Sequence, residues 1–403
     1  MTRVTIERLG HQGDGIAPGP LFVPRTLPGE EVEGEVTGDR IEAPRIVTPS
    51  PDRVKAPCAH YRACGGCSLQ HASDTFVAGW KTSVVEQALT AQGLTTDIRG
   101  IATSPPGARR RATIAVRRTK KGVLTGFHAP KSDVITPIPG CLLLTPALMA
   151  GLPLCEALAR VGASRKAELK VTLTDSAAGL DVSVQGGHKL DLALETALAQ
   201  IVGEHPVARL AWNGEVVALA QPPVQRFGTI DVCPPPGGFL QATKEGEQAL
   251  TAAVREAVGE AGRVIDLFAG CGTFSLPLAE HAAVHAVEGD AALMDALDAG
   301  WRHGHGLHAV TTETRDLFRR PLLPDELKAD AVVIDPPRAG AEAQVAEIAA
   351  SDVPRIAAVS CNPVSFARDA KVLTEVGFTL DWLVVVDQFR WSPHVELAAC
   401  FTR

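Results

Sequence analysis

Apolar and polar positions alternate in short runs at the start of the chain. Val4-Thr-Ile6, Leu21-Phe-Val23, Glu31-Val-Glu-Gly-Glu-Val36 and Arg45-Ile-Val47 read as short strands. Gly13-Asp-Gly15, Pro18-Gly-Pro20, Pro28-Gly29 and Gly38-Asp39 separate them as turns. So many short strands in so little chain predict a small OB-like β-barrel over residues 1–56. The period then lengthens. Val77, Trp80, Val84, Val85, Ala88 and Leu89 recur at helical spacing up to Gly93. Strand-like runs at 111–117, 170–174, 179–184, 207–212 and 215–219, with a helix-like run at 190–202, predict an α+β central domain within residues 57–232. From 233 to 403 strands and helices take turns. Val264–Phe268, Val284–Glu288, Ala331–Asp335 and Ile356–Val359 are the strands, and Phe274–Glu280, Ala291–Leu297, Ala341–Ala350 and Ser365–Val376 the helices. That order predicts a doubly wound, Rossmann-like α/β domain with a parallel sheet. The fold class is therefore multidomain.

The 403 residues, 45% hydrophobic and 21% charged, fit a globular chain of two or three domains. No apolar run approaches the roughly 20 residues that span a membrane, and Met1-Thr-Arg-Val-Thr-Ile-Glu lacks the apolar core of a signal peptide. A cytoplasmic location without a membrane partner is expected. Nothing implies an obligate protein partner. In that compartment nine cysteines argue for metal binding or catalysis over disulfides.

The net charge of -7 argues weakly against nucleic acid, but charge is unevenly spread. Between Ile101 and Lys131 stand Arg109, Arg110, Arg111, Arg117, Arg118, Lys120, Lys121 and Lys131, with no Asp or Glu. A charge run is usually a solvated face, yet so pure a run in an acidic protein favours a phosphate-binding patch. Arg109, Arg110, Arg111, Arg117, Arg118, Lys120 and Lys121 are the candidate RNA contacts.

Cys58, Cys64 and Cys67 are spaced C-x5-C-x2-C, with Gly65 and Gly66 letting the backbone curl. Three thiols so close can face one centre, and Cys141 is the best fourth ligand. Cys155 lies in a helical apolar pattern and reads as core. Four thiolates suit zinc or an iron–sulfur cluster, and spacing alone does not choose.

Asp266-Leu-Phe-Ala-Gly270-Cys-Gly272-Thr-Phe is a glycine loop after a strand, and Glu288 closes the next strand. A carboxylate there suits hydrogen bonds to ribose hydroxyls. The pair resembles a class I S-adenosylmethionine site, with Asp316 placed near the adenine. Asp316 reads about as well as an ordinary strand-to-loop acid. Asp335-Pro-Pro-Arg338 closes the next strand, and its prolines restrict the tip. Cys361 follows the last of these strands, where open α/β sheets bind ligands.

Gly10–Ala17 with Leu27-Pro-Gly-Glu-Glu-Val32 resembles a TRAM domain, an RNA-binding barrel attached to RNA-modifying enzymes. Its Glu30, Glu31, Glu33 and Glu35 set it apart from a basic RNA-binding face. Cys64-Gly-Gly-Cys67-Ser-Leu-Gln70-His71, Phe239-Leu-Gln241, Ser360-Cys361-Asn362-Pro363, Arg368-Asp369 and His394-Val395-Glu396 resemble, in chain order, RNA uracil-5-methyltransferases of the TrmA/RumA type. The resemblance implies a [4Fe–4S] cluster rather than zinc on Cys58, Cys64, Cys67 and Cys141. It implies Cys361 as nucleophile, Glu396 as base and Asp335 as an orienting group. It implies Gln241, Phe268, Thr273, Glu288, Asp316 and Asp335 around S-adenosylmethionine. The family usually carries Asn where this chain has Thr243 and Thr273. Cys271 and Cys400 are the competing thiols. The first sits where the donor binds and the second in an apolar run. The barrel-and-cluster architecture implies 23S rRNA as substrate. A tRNA uracil-5-methyltransferase, an inactive RNA-binding or assembly factor on the same scaffold, and an amino-methyltransferase using Asp-Pro-Pro are the competing readings.

Overall fold

The apolar runs of the last third are strands covered on both faces, as parallel strands usually are. The structure, a computed structural model, describes residues 1–403. Its largest sheet has eight strands, in the order Val310–Thr314, Ala283–Glu288, Arg263–Leu267, Ala331–Ile334, Arg355–Ser360, Glu396–Thr402, Thr379–Asp387, Asp97–Thr103. The period-two alternation sorts its core. Ile265, Leu267, Val332, Ile334, Ile356 and Ala358 join one apolar cluster, and Val264, Ala331, Val333, Ala357 and Val359 the other. Helices Glu342–Ala350 and Pro363–Glu375 cover the first face, and Lys244–Val258 and Ala291–His303 the second. Lys244–Val258 shows why: Leu250, Ala253, Val254, Ala257 and Val258 form one stripe, Thr243 caps its start and Gly259 ends it with φ +62°.

The sheet is mixed, not parallel throughout as the alternation predicted. Glu396–Thr402 runs antiparallel to both Arg355–Ser360 and Thr379–Asp387. The strand Asp97–Thr103 pairs parallel with Thr379–Asp387 at the edge. The helix before it, Asp74–Thr90, packs on Pro363–Glu375 and sends Val85 and Leu89 into the same core. Residues 74–103, inside the 57–232 span, thus dock on the C-terminal sheet; the sequence left open that the helix packs on a domain other than its neighbours'. The hairpin Gln225–Phe227/Ile230–Val232 also packs there, against Leu240, Cys271 and Leu276.

A second sheet has seven strands, in the order Ile135–Pro137, Val123–His128, Arg111–Arg118, Glu168–Ser176, Gly179–Gln185, Val207–Trp212, Glu215–Leu219. Helices Leu152–Gly162 and Leu192–Gly203 supply its core partners, and Cys155 is buried among them. At the N-terminus six short strands form two three-stranded ladders. Ile6, Ala17, Val23, Val32 and Ile41 pack together there, and Phe22 and Arg40 make a bridge. Several acids of this segment are internally paired, among them Asp14, Glu30, Glu31, Glu33 and Glu42. Glu30 is fully buried with Arg53 and accepts from the Leu27 and Ser50 amides, and Glu31 pairs with Arg3 at 2.6 Å. No helix is long and apolar enough to cross a membrane.

Candidate active site

Sheet register brings the two distant candidates together. Ser360 pairs with Leu397 in the antiparallel ladder, so Cys361 stands one rung beyond, opposite Glu396. Asp335 follows Ala331–Ile334, the strand beside Arg355–Ser360. The two strand tips are tied: Asn362 Nδ2 donates to the Arg338 carbonyl at 2.8 Å, and its Oδ1 accepts from Val364 N as the cap of the next helix. Cys361 and Glu396 open into a cleft of about 740 Å³ also lined by Arg109, Arg111, Phe239 and Phe389. Cys271 and Cys400 are buried, at 1% and 3% exposure, so neither thiol competes for this cleft.

The site is a column of acid in which Asp266 and Glu396 are buried and Asp335 is partly exposed. Burial pushes Asp266 up to about 7, opposed by its 2.5 Å bond from Ser275 and reinforced by Glu288. Burial, then Asp266, pushes Asp335 up to about 7. Burial, then Asp335, pushes Glu396 up to about 8. Burial, then Glu396 and Asp335, raises the Cys361 thiol to about 11, while Arg338 pulls it down. Asp266 Oδ1 and Glu396 Oε2 are buried without a hydrogen-bond partner. Buried carboxylates are normally partnered, so these two oxygens are unmet acceptors at the strand tips.

This column gives a stability prediction. Asp335 has a folded pKa above its unfolded value, so the folded chain holds a proton that the unfolded chain has lost between about pH 4 and 7. The associated stability is present below that window and lost as pH rises through about 7. Asp335→Asn cannot ionise. It should therefore stabilise the ligand-free protein at pH 8 relative to pH 5, by on the order of 1–2 kcal/mol in denaturant titrations.

The donor candidates ring the strand tips. Phe268 turns the chain with φ +61°, and its ring packs on Phe318 at 5.5 Å. Glu288 accepts from the Gly270, Gly289 and Asp290 amides, fixing the glycine loop. Asp316 is exposed and accepts from the Phe318 amide at 3.0 Å. Gln241 is buried at 1% exposure and takes a 2.5 Å bond from Gln388 Nε2. Thr273 lines a second cleft, of about 750 Å³, with Arg226, Lys244 and Glu247. Thr243 caps helix Lys244–Val258 by accepting from Gly246 N, and bonds Ser104 Oγ at 2.7 Å.

The basic run is split. Arg110 falls in phase with the inward Ala112, Ile114 and Val116, is 2% exposed, and pairs with Glu247. It is a structural ion pair and not the phosphate contact expected from the sequence. Arg117 pairs with Glu168 at 2.9 Å. Arg109 lies over the Phe389 ring, 5.8 Å from its centroid, and Arg111 donates to the Gly237 carbonyl at 2.8 Å, both in the cleft wall. Arg118, Lys120 and Lys121 sit at the turn before Val123–His128, the two lysines exposed. Arg110→Ala should destabilise the protein by ~3–5 kcal/mol because it strands a buried carboxylate. Converting Arg118, Lys120 and Lys121 together to Gln should leave the melting temperature unchanged. It should reduce the salt slope of RNA binding by ~2–3.

Cys58, Cys64, Cys67 and Cys141 line one small apolar cavity with Tyr61 and Phe127. Gly65 is needed there, because a Cβ would stand 2.7 Å from the His128 carbonyl oxygen. Burial, opposed by Gln70 and reinforced by the neighbouring thiols, raises Cys67 to about 12. As the side chains stand, no three His, Cys, Asp or Glu residues converge on a single-ion site.

Two contributors escape sequence reasoning. Gln388 bridges Gln241 and the Ala242 amide. Lys81, wholly buried, pairs with Asp387 at 2.6 Å. A charge at position 81, between Val77 and Val85 on an apolar helix face, was the available signal.

A family profile described as tRNA (Uracil-5-)-methyltransferase matches residues 307–403. An RNA methyltransferase of Rhizobium meliloti is 44% identical over 98% of both chains. The 23S rRNA (uracil(1939)-C(5))-methyltransferase RlmD of Chromohalobacter salexigens is 33% identical, over 99% of this chain and 89% of that protein. Among solved structures, the Pyrococcus abyssi tRNA (uracil-54, C5)-methyltransferase in complex with S-adenosyl-L-homocysteine superposes with a TM-score of 0.78 at 23% identity, covering 99% of each chain. That likeness concerns the fold.

Proposed function

The chain belongs to the S-adenosylmethionine-dependent RNA (uracil-5-)-methyltransferases, and from that premise we propose that it methylates C5 of one uridine in RNA, 23S rRNA being favoured over tRNA. The observation that carries the reading is Cys361 set opposite the unpartnered Glu396 in an open cleft. C5 of uracil is a poor nucleophile. Addition of the Cys361 thiolate at C6 moves electron density to C5. Bound S-adenosylmethionine supplies an electrophilic methyl group, which C5 takes with loss of the neutral thioether. Glu396 then removes the C5 proton, and the Cys361–C6 bond breaks to restore the double bond and the thiolate. This is covalent catalysis completed by a general base. Arg338 partly opposes the burial and carboxylates that raise the thiol, and the donor's positive charge would offset those carboxylates further. Asp335 orients the reactants. Gln241, Phe268, Glu288 and Asp316 hold the donor, and Thr273 opens onto the second cleft.

Arg109 and Arg111 place the RNA backbone at the cleft, with Arg118, Lys120 and Lys121 as an outer contact. The N-terminal 56 residues form the TRAM-like unit. Cys58, Cys64, Cys67 and Cys141 would hold a [4Fe–4S] cluster. Four thiols around one cavity fit either zinc or a cluster, and the resemblance to the cluster-bearing uracil-5-methyltransferases favours the cluster. Anaerobically purified protein should carry about four iron atoms per chain, lost in Cys67→Ser. About one zinc instead would contradict the assignment.

Mapping 5-methyluridine in rRNA and tRNA from cells with and without the protein tests the function. Loss of the modification at one 23S rRNA uridine is expected. Loss confined to tRNA would move the substrate, and no loss would reject the reaction.

A further inference from the structure

Glu396 has an unusual problem for a base: nothing holds its carboxylate. Its Oε2 is buried and unpartnered, and Glu396 is 4% exposed. Its place is therefore set by its backbone. That backbone leaves a hairpin whose strands, Thr379–Asp387 and Glu396–Thr402, close on the pair Val386–Glu396. The connecting loop, 388–395, is longer than the two to five residues usual for a hairpin. A loop of that length keeps one shape only if something crosses it.

Lys81 crosses it. Its Nζ donates to Asp387 Oδ1 at 2.6 Å, to the Phe389 carbonyl at 3.2 Å and to the His394 carbonyl at 2.9 Å. Three donors meet three acceptors, so the ammonium is saturated. The acceptors lie on both arms of the loop, and the last is two residues before Glu396. Lys81 comes from helix Asp74–Thr90, which also reaches the loop through Asp74 and Arg390 at 2.5 Å. The Ser68 and Leu69 amides bond the Trp391 carbonyl, and Trp391 sits at φ +59°. The far end of the loop is held differently, by Gln388 on Gln241 and Ala242. A wholly buried ion pair is a poor way to gain stability, because apolar residues of like volume do as well or better. Keeping one here fits a demand for geometry.

We infer that Lys81 is a positioning residue for methyl transfer, holding the Phe389–His394 loop so that Glu396 reaches the C5 proton. This rests on the reading of Glu396 as the base. The test uses the full chain as wild type and as Lys81→Met/Asp387→Asn, which removes both buried charges together. Each is given S-adenosylmethionine and an in vitro 23S rRNA transcript, with uridine or with 5-fluorouridine. Fluorine at C5 cannot be taken by a base, so the covalent adduct reports every step before proton removal. The double variant should form adduct within about threefold of wild type, while its kcat for 5-methyluridine falls at least ~10-fold with little change in KM. Lys81→Arg keeps the charge opposite Asp387 but not the three-way geometry, and should show the same split if the double variant fails to fold. Unchanged turnover in the variant would overturn the inference. Adduct and turnover falling together would also overturn it, as a general structural defect. A wild type that forms no adduct would reject the underlying reading of the site instead.

Discussion

Cys361→Ala is expected to lower methyl transfer by at least ~10³-fold while leaving donor binding within about twofold. The thiol is the one group in the cleft able to add to a ring carbon and leave again. The carboxylates around it are acids and bases, not nucleophiles suited to a conjugated alkene. The proposed donor site lies at the tips of other strands, at the Asp266–Gly272 loop and Glu288. Removing one sulfur at the end of Arg355–Ser360 does not disturb them. Isothermal titration with S-adenosylmethionine and a tritium methyl-transfer assay measure the two halves. Activity retained in Cys361→Ala would point to transfer onto an amino group through Asp335-Pro-Pro.

Glu396→Gln should separate bond formation from bond release. Turnover is expected to fall ~10²–10⁴-fold, the usual span for a lost general base. The methylated adduct cannot shed its C5 proton, so protein covalently bound to ordinary uridine RNA should accumulate on denaturing gels. The wild-type pH profile carries the same residue. Burial and Asp335 raise Glu396 to about 8, and only its ionised form accepts the proton. The rate should rise with pH towards about 8, and Glu396→Gln should flatten that limb. A cationic donor beside the column favours the ionised form, so the limb should move to lower pH when S-adenosylmethionine saturates.

Much of this was legible in the residues, for reasons that differ. The Asp266 glycine loop and the strands at 263–267, 331–334 and 355–360 announce themselves because parallel strands carry continuous apolar runs. Cys361 and Glu396 were found as motif members, but their meeting depends on the Ser360–Leu397 register, which no local pattern encodes. The mixed sheet was missed for the same reason. Strand Asp97–Thr103 pairs with residues nearly three hundred positions away, so its docking is a tertiary fact. Arg110 was misplaced because charge was counted along the run without regard to alternation. Ala112, Ile114 and Val116 already showed which face pointed inward. Lys81 was hidden by the rule that lysines are exposed, a rule that fails where three acceptors converge. The cysteine spacing predicted a shared centre, and Cys141 lines the same cavity as the other three, though no three of these side chains converge on a single-ion site.

In the proposed mechanism, Cys361 bonds covalently to a uracil ring during methyl transfer. The most direct measurement incubates the protein with S-adenosylmethionine and a 5-fluorouridine 23S rRNA transcript, then digests and sequences the adduct by mass spectrometry. One modified peptide, carrying a methylated fluorouridine on Cys361, is expected. Stoichiometric methylation of ordinary RNA with no adduct, or an adduct on any other cysteine, would contradict it.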